Sequence, residues 1–104
     1  MRRLLVLAAL SLAAAAPDEA SQVYKEECAR CHGDDARGHG NAPNLLDSVK
    51  RLSKQQFSEV VVNGIKHPGE TRPAMPGFGL TEDVVEELDA LYAALKSRAG
   101  AQPP

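Results

Sequence analysis

The five residues from Cys28 to His32 read Cys-Ala-Arg-Cys-His and carry three groups that can bond to a cofactor or a metal. Two thiols two residues apart, followed directly by a histidine, can hold the two vinyl groups of a haem as thioethers and place an imidazole under its iron. Two cysteines at this spacing can also form a redox pair or half of a zinc site. The motif predicts one covalent haem c, and a redox pair and a zinc site are the two alternatives.

The surroundings of the cysteine pair disfavour both alternatives. A thioredoxin-like redox pair lies where a strand leads into a helix, whereas the residues before Cys28 show helical spacing. A zinc site needs four ligands, and the two other histidines, His39 and His67, lie in polar loops at irregular spacing. We interpret both as solvated side chains, with His67 as the substitute iron ligand if the second ligand is not the methionine described next.

Met75 is the candidate ligand for the other side of the iron. It is the only methionine after residues 1–16, and it lies between Pro73 and Pro76 in a loop. A lone methionine is more often core filler, but a loop has no amphipathic face to fill. A thioether ligand raises the reduction potential and closes the iron to oxygen or peroxide. Met75 therefore predicts an electron carrier rather than an enzyme; an open iron would indicate a peroxidase or gas sensor.

Helices are expected on both sides of the haem motif. Apolar residues spaced near one turn predict a first helix over residues 18–31, which runs directly into the cysteine pair. Glycine and proline among polar residues predict loops over 32–43 and 66–79, and a short helix is expected over 45–52. The thiols thus follow a helix, and Met75 lies in a loop.

The next helix has clear start and stop signals. Ser53 is its expected N-cap, Gln56 completes a capping box three residues later, and Gly64 ends the helix. Three consecutive valines at 60–62 lower the helix propensity, so a strand remains an alternative there.

The last helix is predicted to start at Thr81, with Leu80 and Val85 as a hydrophobic staple. Lys96 and Arg98 lie near its end, where positive charge complements the helix dipole. With no strand pattern elsewhere, we expect an all-α fold of three to four helices. The residues of the last helix expected to be buried along one stripe are Val84, Val85, Leu88, Leu91 and Leu95.

Length and charge limit the further possibilities. The 104 residues allow one domain, and residues 1–16 combine two arginines, an apolar run and alanines, as a secretory signal peptide does. Without that segment the formal net charge falls from −2 to −4, which disfavours nucleic acid as a partner. We expect a periplasmic monomer with no membrane span after signal cleavage. The haem-binding domain would cover residues 17–99, followed by a frayed tail over 100–104.

A chain this short needs help to complete its core. After the signal segment it has four aromatic residues and no tryptophan, and small domains often depend on a disulfide, a metal or a cofactor. We predict that a haem supplies the missing apolar surface and that the haem-free protein is largely disordered. The side chains expected to grip the haem are Tyr24, Leu45, Phe57, Val61, Met75 and Phe78.

The order and spacing of several short motifs resemble class I cytochrome c. The resemblance covers residues 18 to about 97 and is greatest to short bacterial periplasmic carriers and to cytochrome domains attached to dehydrogenases and oxidases. It implies a donor that is a dehydrogenase or quinol-oxidising complex and an acceptor that is an oxidase or another cytochrome. The matching motifs are Ala20-x-x-x-Tyr24, Cys28 to Gly33, Ala42-Pro43-Asn44-Leu45, Val62-Asn63-Gly64 and Met75-Pro76-Gly77-Phe78.

The resemblance also implies roles for individual residues. The first and last helices would cross near the haem, with Ala20 and Tyr24 at the crossing, and the carbonyl of Pro43 would accept a hydrogen bond from the ring of the proximal histidine. Phe78 would pack against the haem, and Arg72 is the candidate contact for a haem propionate. The family's Tyr-Leu pair on the last helix is reversed here, as Leu91-Tyr92. Which of these two contacts Tyr24 stays open at this point.

Overall fold

The computed structural model describes residues 16–101, with side chains described from residue 19 onward. The predicted signal segment, apart from its last residue, and positions 102–104 of the predicted tail lie outside the described residues. Within that range the chain forms helices and two isolated antiparallel bridges but no strand. The predicted all-α fold is confirmed. The helices are α1 (Ala16–Val23), a π-helical turn (Tyr24–Cys28), α2 (Ala29–His32), α3 (Leu45–Arg51), α4 (Lys54–Asn63), α5 (Glu82–Glu86) and α6 (Leu88–Ala101).

The first helical segment runs without a break through α1, the π-helical turn and α2. In the π-helical turn the amide of Ala29 bonds to the carbonyl of Tyr24, five residues earlier. Gly33 ends the segment with a φ of 87°. The predicted helix over 18–31 is therefore present, but nothing in the sequence pattern indicated the wider turn directly before the haem motif.

The two middle helices begin at side-chain caps. The side-chain oxygen of Asn44 accepts hydrogen bonds from the amides of Leu46 and Asp47, which starts α3. Ser53 and Gln56 form both bonds of the predicted capping box at the start of α4, and Gly64 follows its last residue. The strand alternative for residues 60–62 is wrong, because this segment is helical.

The C-terminal segment differs from the single helix predicted. The backbone of Glu87 departs from helical geometry, with φ −103° and ψ 11°, and separates α5 from α6. The predicted staple is wrong as well: Leu80 is fully exposed and Val85 is 41% exposed. A turn closed by the amide of Thr81 and the carbonyl of Phe78 precedes α5, so the chain enters this helix without a staple. The helix α6 extends to Ala101, two residues into the predicted tail.

The core lies around α6, which packs against α1, α3, α4 and α5. Leu91 and Leu95 are both buried on its inner face, and Val49 and Val84 are completely enclosed. Burial of such a side chain contributes about 1.5–3 kcal/mol relative to an exposed position. As a result, α6 joins the first helix to the middle of the chain. No helix within residues 16–101 has both the length and the apolar character needed to cross a bilayer.

Candidate functional site

The haem motif lies at the end of the first helical segment. Cys28 closes the π-helical turn, and Cys31 and His32 lie in α2. Both thiols are free; Cys28 is half-buried and Cys31 is exposed. His32 is only 7% exposed. One helical end therefore carries two thiols that can react and a sheltered imidazole.

The imidazole of His32 is held by the backbone of the following loop. Its Nδ1 atom lies 3.0 Å from the carbonyl oxygen of Pro43. A carbonyl oxygen only accepts hydrogen bonds, so Nδ1 carries the proton and donates it. In the neutral ring this leaves the lone pair of Nε2 free for a metal, and the bond at Nδ1 fixes the orientation of the ring.

The loop between His32 and Pro43 is tightly folded. The amide of Gly38 donates to the carbonyl of His32 at 2.8 Å, and His39 and Ala42 form an antiparallel bridge. Gly38 has a φ of 95°, and a Cβ atom there would lie 2.7 Å from the oxygen of Ala42. Only glycine fits this position, which brings the chain back to place the carbonyl of Pro43 at the histidine ring.

Met75 is anchored to the chain that follows α4. Its backbone forms an antiparallel bridge with Ile65 through hydrogen bonds of 2.9 and 3.1 Å. Its side chain is half-buried and packs against the core. The amide of Phe78 donates to the carbonyl of Val61 at 2.8 Å, so the loop stays attached to α4 beyond Met75.

Gly64 and Gly77 allow this loop to lie directly on the end of α4. A Cβ atom at Gly64 would lie 2.5 Å from the carbonyl oxygen of Met75, and one at Gly77 would lie 2.7 Å from that of Val62. Gly64 also has a φ of 76°, in the region that favours glycine. The loop with Met75 is thus an ordered extension of α4.

Tyr24 is buried, and its hydroxyl donates a hydrogen bond of 2.6 Å to the carbonyl of Gly33. Burial raises the pKa of Tyr24 to about 12, because the charged phenolate would lose its hydration. The side chain is therefore a neutral donor over the ordinary pH range. The other predicted haem neighbours are either buried, as are Phe57 and Val61, or half-buried against the core, as are Leu45 and Phe78.

The two residues of the reversed pair on α6, Leu91 and Tyr92, have different surroundings. Leu91 lines a cavity of about 160 Å³ together with Ala20 and Tyr24. Tyr92 instead lies with its ring centroid 5.3 Å from that of Phe57, and its hydroxyl donates to the carbonyl of Leu52 at 2.6 Å. Leu91 is therefore the member of the pair that borders the same cavity as Tyr24, while Tyr92 joins α6 to the start of α4.

The remaining candidate side chains do not join the haem motif in a metal site. His39, His67 and Arg72 are all exposed. Among residues 16–101, no three histidine, cysteine, aspartate or glutamate side chains form a group that could hold a metal ion. The alternative of a zinc site is thus not supported in the described part of the chain.

The environment of Cys28 also disfavours thiolate chemistry. Burial raises the pKa of the Cys28 thiol to about 11, with the carboxylate of Glu27 adding to the effect. A redox-active cysteine works as a thiolate and usually has a lowered pKa. In addition, a helix rather than a strand precedes Cys28, so the thioredoxin-like alternative lacks its structural context.

Two features of the site were missed from the sequence. Arg98 was assigned only to the helix dipole, yet its Nη2 atom donates a hydrogen bond to the backbone of Asp35. Ala36 has a positive φ of 66° although it is not glycine. No sequence signal distinguishes either residue, because the bond of Arg98 joins positions 63 residues apart and the positive φ of Ala36 falls on a residue that is not glycine.

Comparison with known proteins identifies the family. The sequence profile described as "Cytochrome C oxidase, cbb3-type, subunit III" matches residues 15–93, which is most of the chain. The chain belongs to this family of c-type cytochromes. Covalently bound haem c is therefore its cofactor. The groups present fit that cofactor: two free thiols and an imidazole with Nε2 available.

Several known proteins are similar to this chain in sequence. A protein of Methylococcus capsulatus named "Cytochrome c-555" is 42% identical over 84 residues, which is 80% of this chain and 63% of that protein. The "Cbb3-type cytochrome c oxidase subunit FixP" of Sinorhizobium medicae is 34% identical over 90 residues, 80% of this chain and 31% of that protein. The "Dihydro-heme d1 dehydrogenase" of Pseudomonas aeruginosa is 39% identical over 103 residues, 95% of this chain but 18% of that protein.

The fold is similar to that of a solved cytochrome. The crystal structure of the c-type cytochrome XoxG from Methylobacterium extorquens AM1 has a TM-score of 0.66 and 38% sequence identity to this chain. The match covers 77% of this chain and 48% of that one. The cytochrome c fold expected from the sequence is confirmed. This chain spans less than two thirds of the length of each of these relatives.

Proposed function

We propose that this cytochrome is a periplasmic single-electron carrier with one haem c. Thioether bonds to Cys28 and Cys31 would hold the haem, and His32 and Met75 would ligate its iron. The observation that carries the proposal is the hydrogen bond of 3.0 Å from Nδ1 of His32 to the carbonyl of Pro43. It directs Nε2 to a metal and keeps the ring in one orientation. When bound, the haem supplies one-electron redox chemistry at iron.

The placement of Met75 supports closed iron coordination. A flexible surface loop would hold a ligand poorly, whereas Met75 is bridged to Ile65 and its side chain packs against the core. With His32 and Met75 both holding the iron, neither oxygen nor peroxide would have a place to bind. The chain's own residues would then orient the cofactor, and only its redox state would change. This behaviour is that of a carrier and not of an enzyme.

The partners follow from the same proposal. The donor is a dehydrogenase or a quinol-oxidising complex, and the acceptor is an oxidase or another cytochrome. Among the relatives, the FixP protein is named as a subunit of an oxidase, which supports an oxidase as acceptor. The basic and apolar segment at residues 2–12 supports export to the periplasm, where such carriers meet their partners.

The visible spectrum of the purified, reduced protein with and without carbon monoxide tests this function. Sharp haem bands that carbon monoxide leaves unchanged are expected, because both axial positions are occupied. A prompt shift of the bands would instead indicate an open iron, as in a peroxidase or gas sensor. The absence of a Soret band would exclude the haem assignment altogether.

A further inference from the structure

Arg98 on α6 reaches the loop that follows the haem motif. Its Nη2 atom donates a hydrogen bond of 2.8 Å to the backbone oxygen of Asp35, 63 positions earlier in the chain. A guanidinium donor makes such a bond stronger than one between neutral groups. Arg98 also lines the cavity of about 160 Å³ that Tyr24 borders, so two side chains that bond to this loop are neighbours.

The bond acts on the peptide that leads into a strained residue. The acceptor oxygen of Asp35 belongs to the peptide bond between Asp35 and Ala36, and Ala36 has a φ of 66°. Ala36 is completely buried, and its carbonyl accepts the amide of Leu45 at 2.8 Å. A left-handed backbone at alanine persists only where its surroundings hold it. Arg98 therefore bonds to the carbonyl before Ala36, and Leu45 bonds to the carbonyl of Ala36 itself.

The same loop contacts both the backbone and the ring of the proximal histidine, His32. Gly38, two residues after Ala36, donates its amide to the carbonyl of His32, and the loop ends at Pro43, whose carbonyl accepts the Nδ1 proton. Movement of the loop between these points changes the backbone of His32 or the contact of its ring. A contact that fixes the loop therefore fixes the imidazole.

We infer that Arg98 is a positioning residue for His32: its hydrogen bond to Asp35 holds the strained loop against α6 and thereby keeps Nδ1 of His32 bonded to Pro43. The inference rests on the proposed function in taking His32 as the iron ligand. Arg98 acts through the loop and is not assigned a contact with the haem. The last helix thus influences the site through one side chain at its exposed end, in addition to its packing in the core.

The test uses haem-loaded protein and compares Arg98→Met with Lys96→Met. Lys96 lies on the same helix, 6.0 Å from the ring of Tyr92, and both substitutions remove one positive charge. The main measurement is the exchange rate of the Nδ1 proton of His32 with solvent, by NMR of the reduced protein; the second is the reduction potential. Arg98→Met is expected to speed the exchange about tenfold, as the loss of one charge-assisted hydrogen bond does. It should also shift the potential more than Lys96→Met does.

Arg98→Lys keeps both the charge and a donor, and it should restore slow exchange. Equal exchange rates in Arg98→Met and Lys96→Met would overturn the positioning role. Exchange in Arg98→Lys as fast as in Arg98→Met would overturn it too. A wild-type protein whose haem lacks His32 as ligand would refute the proposed function, and this inference with it; that result is seen before any variant is compared.

Discussion

Met75 and Ile65 pair through two backbone hydrogen bonds, of 2.9 and 3.1 Å, in an isolated antiparallel bridge. The bridge uses only main-chain atoms, so a change of the Met75 side chain leaves it in place. Gly64, directly before Ile65, lies against the same stretch of backbone. The side chain of Met75 can therefore be altered to test its chemistry without removing the contacts that order its loop.

Met75→Ala is expected to open the iron and to lower the reduction potential, because a thioether favours the ferrous state. The reduced variant should then bind carbon monoxide, visible as a shift of the haem absorption bands. Leu80→Ala is the matched control, since Leu80 lies five residues later and is fully exposed. It should keep the wild-type spectrum. An unaltered spectrum in Met75→Ala would rule out Met75 as a ligand.

Loss of the haem should unfold much of the chain. Leu45, Met75 and Phe78 are only half-buried, and Ile65 is more than one third exposed, so the protein alone leaves apolar surface uncovered. Replacing Cys28 and Cys31 together by serine prevents covalent attachment with little change in volume. Circular dichroism should show a large loss of helix relative to the haem-loaded wild type. Helical content equal to that of the wild type would contradict the prediction.

Gly64→Ala should destabilise the protein more than Gly69→Ala. Both glycines have a positive φ, of 76° and 86°, where alanine is strained, and the ψ of −174° at Gly64 lies in a region that almost only glycine adopts. Only at Gly64 would the new Cβ atom also meet a neighbour, the carbonyl oxygen of Met75 at 2.5 Å. Such overpacking adds about 1–3 kcal/mol. Denaturant unfolding of the haem-loaded variants measures the free energy of unfolding of each. Equal losses of this free energy in the two variants would show that the loop does not lie against α4.

The stability of the protein should fall at high pH partly through Tyr24. Its pKa is raised from 10.0 to about 12 in the folded state, so the protonated phenol is favoured by folding. This contribution is complete below pH 10 and is lost as the pH rises to about 12. Tyr24→Phe removes the contribution along with the hydrogen bond to Gly33.

The free energy of unfolding, measured with denaturant across this pH range, should therefore differ most between wild type and Tyr24→Phe below pH 10. The two values should converge toward pH 12. Tyr92→Phe removes a different tyrosine hydrogen bond, to Leu52, and keeps Tyr24, so it should retain the loss of stability that Tyr24 causes between pH 10 and about 12. A constant gap between wild type and Tyr24→Phe would exclude Tyr24 as the source.

Local signals predicted the parts of the fold that depend on neighbouring residues. Ser53 and Gln56 form the expected capping box, and Gly64 follows the last residue of α4. The helix over Leu45–Arg51 matches the predicted 45–52 closely. In each case the cap and the residues it serves lie within a few positions, so the sequence alone contains the interaction.

Features that depend on distant packing were not predictable in the same way. Val84 takes the enclosed position in α5, which leaves its neighbour Val85 exposed, and the helix breaks at Glu87. That Leu91 rather than Tyr92 borders the cavity beside Tyr24 depends on the rotation of α6, which the reversed order of the pair left open. In the candidate site the sequence indicated the residue types. The hydrogen bond from Arg98 to Asp35 joins positions 63 residues apart, and no local signal indicated it.

The packing of α6 against α1 has a consequence for the order in which the chain folds. Contacts between segments so far apart, such as Arg98 with Asp35, raise the contact order. The chain loses entropy when it closes such a long loop, and it does so before the contact begins to stabilise the fold. The core cannot close until α6 packs on the other helices. Until then Cys28, which is half-buried in the folded chain, is as accessible for cofactor attachment as Cys31, which stays exposed.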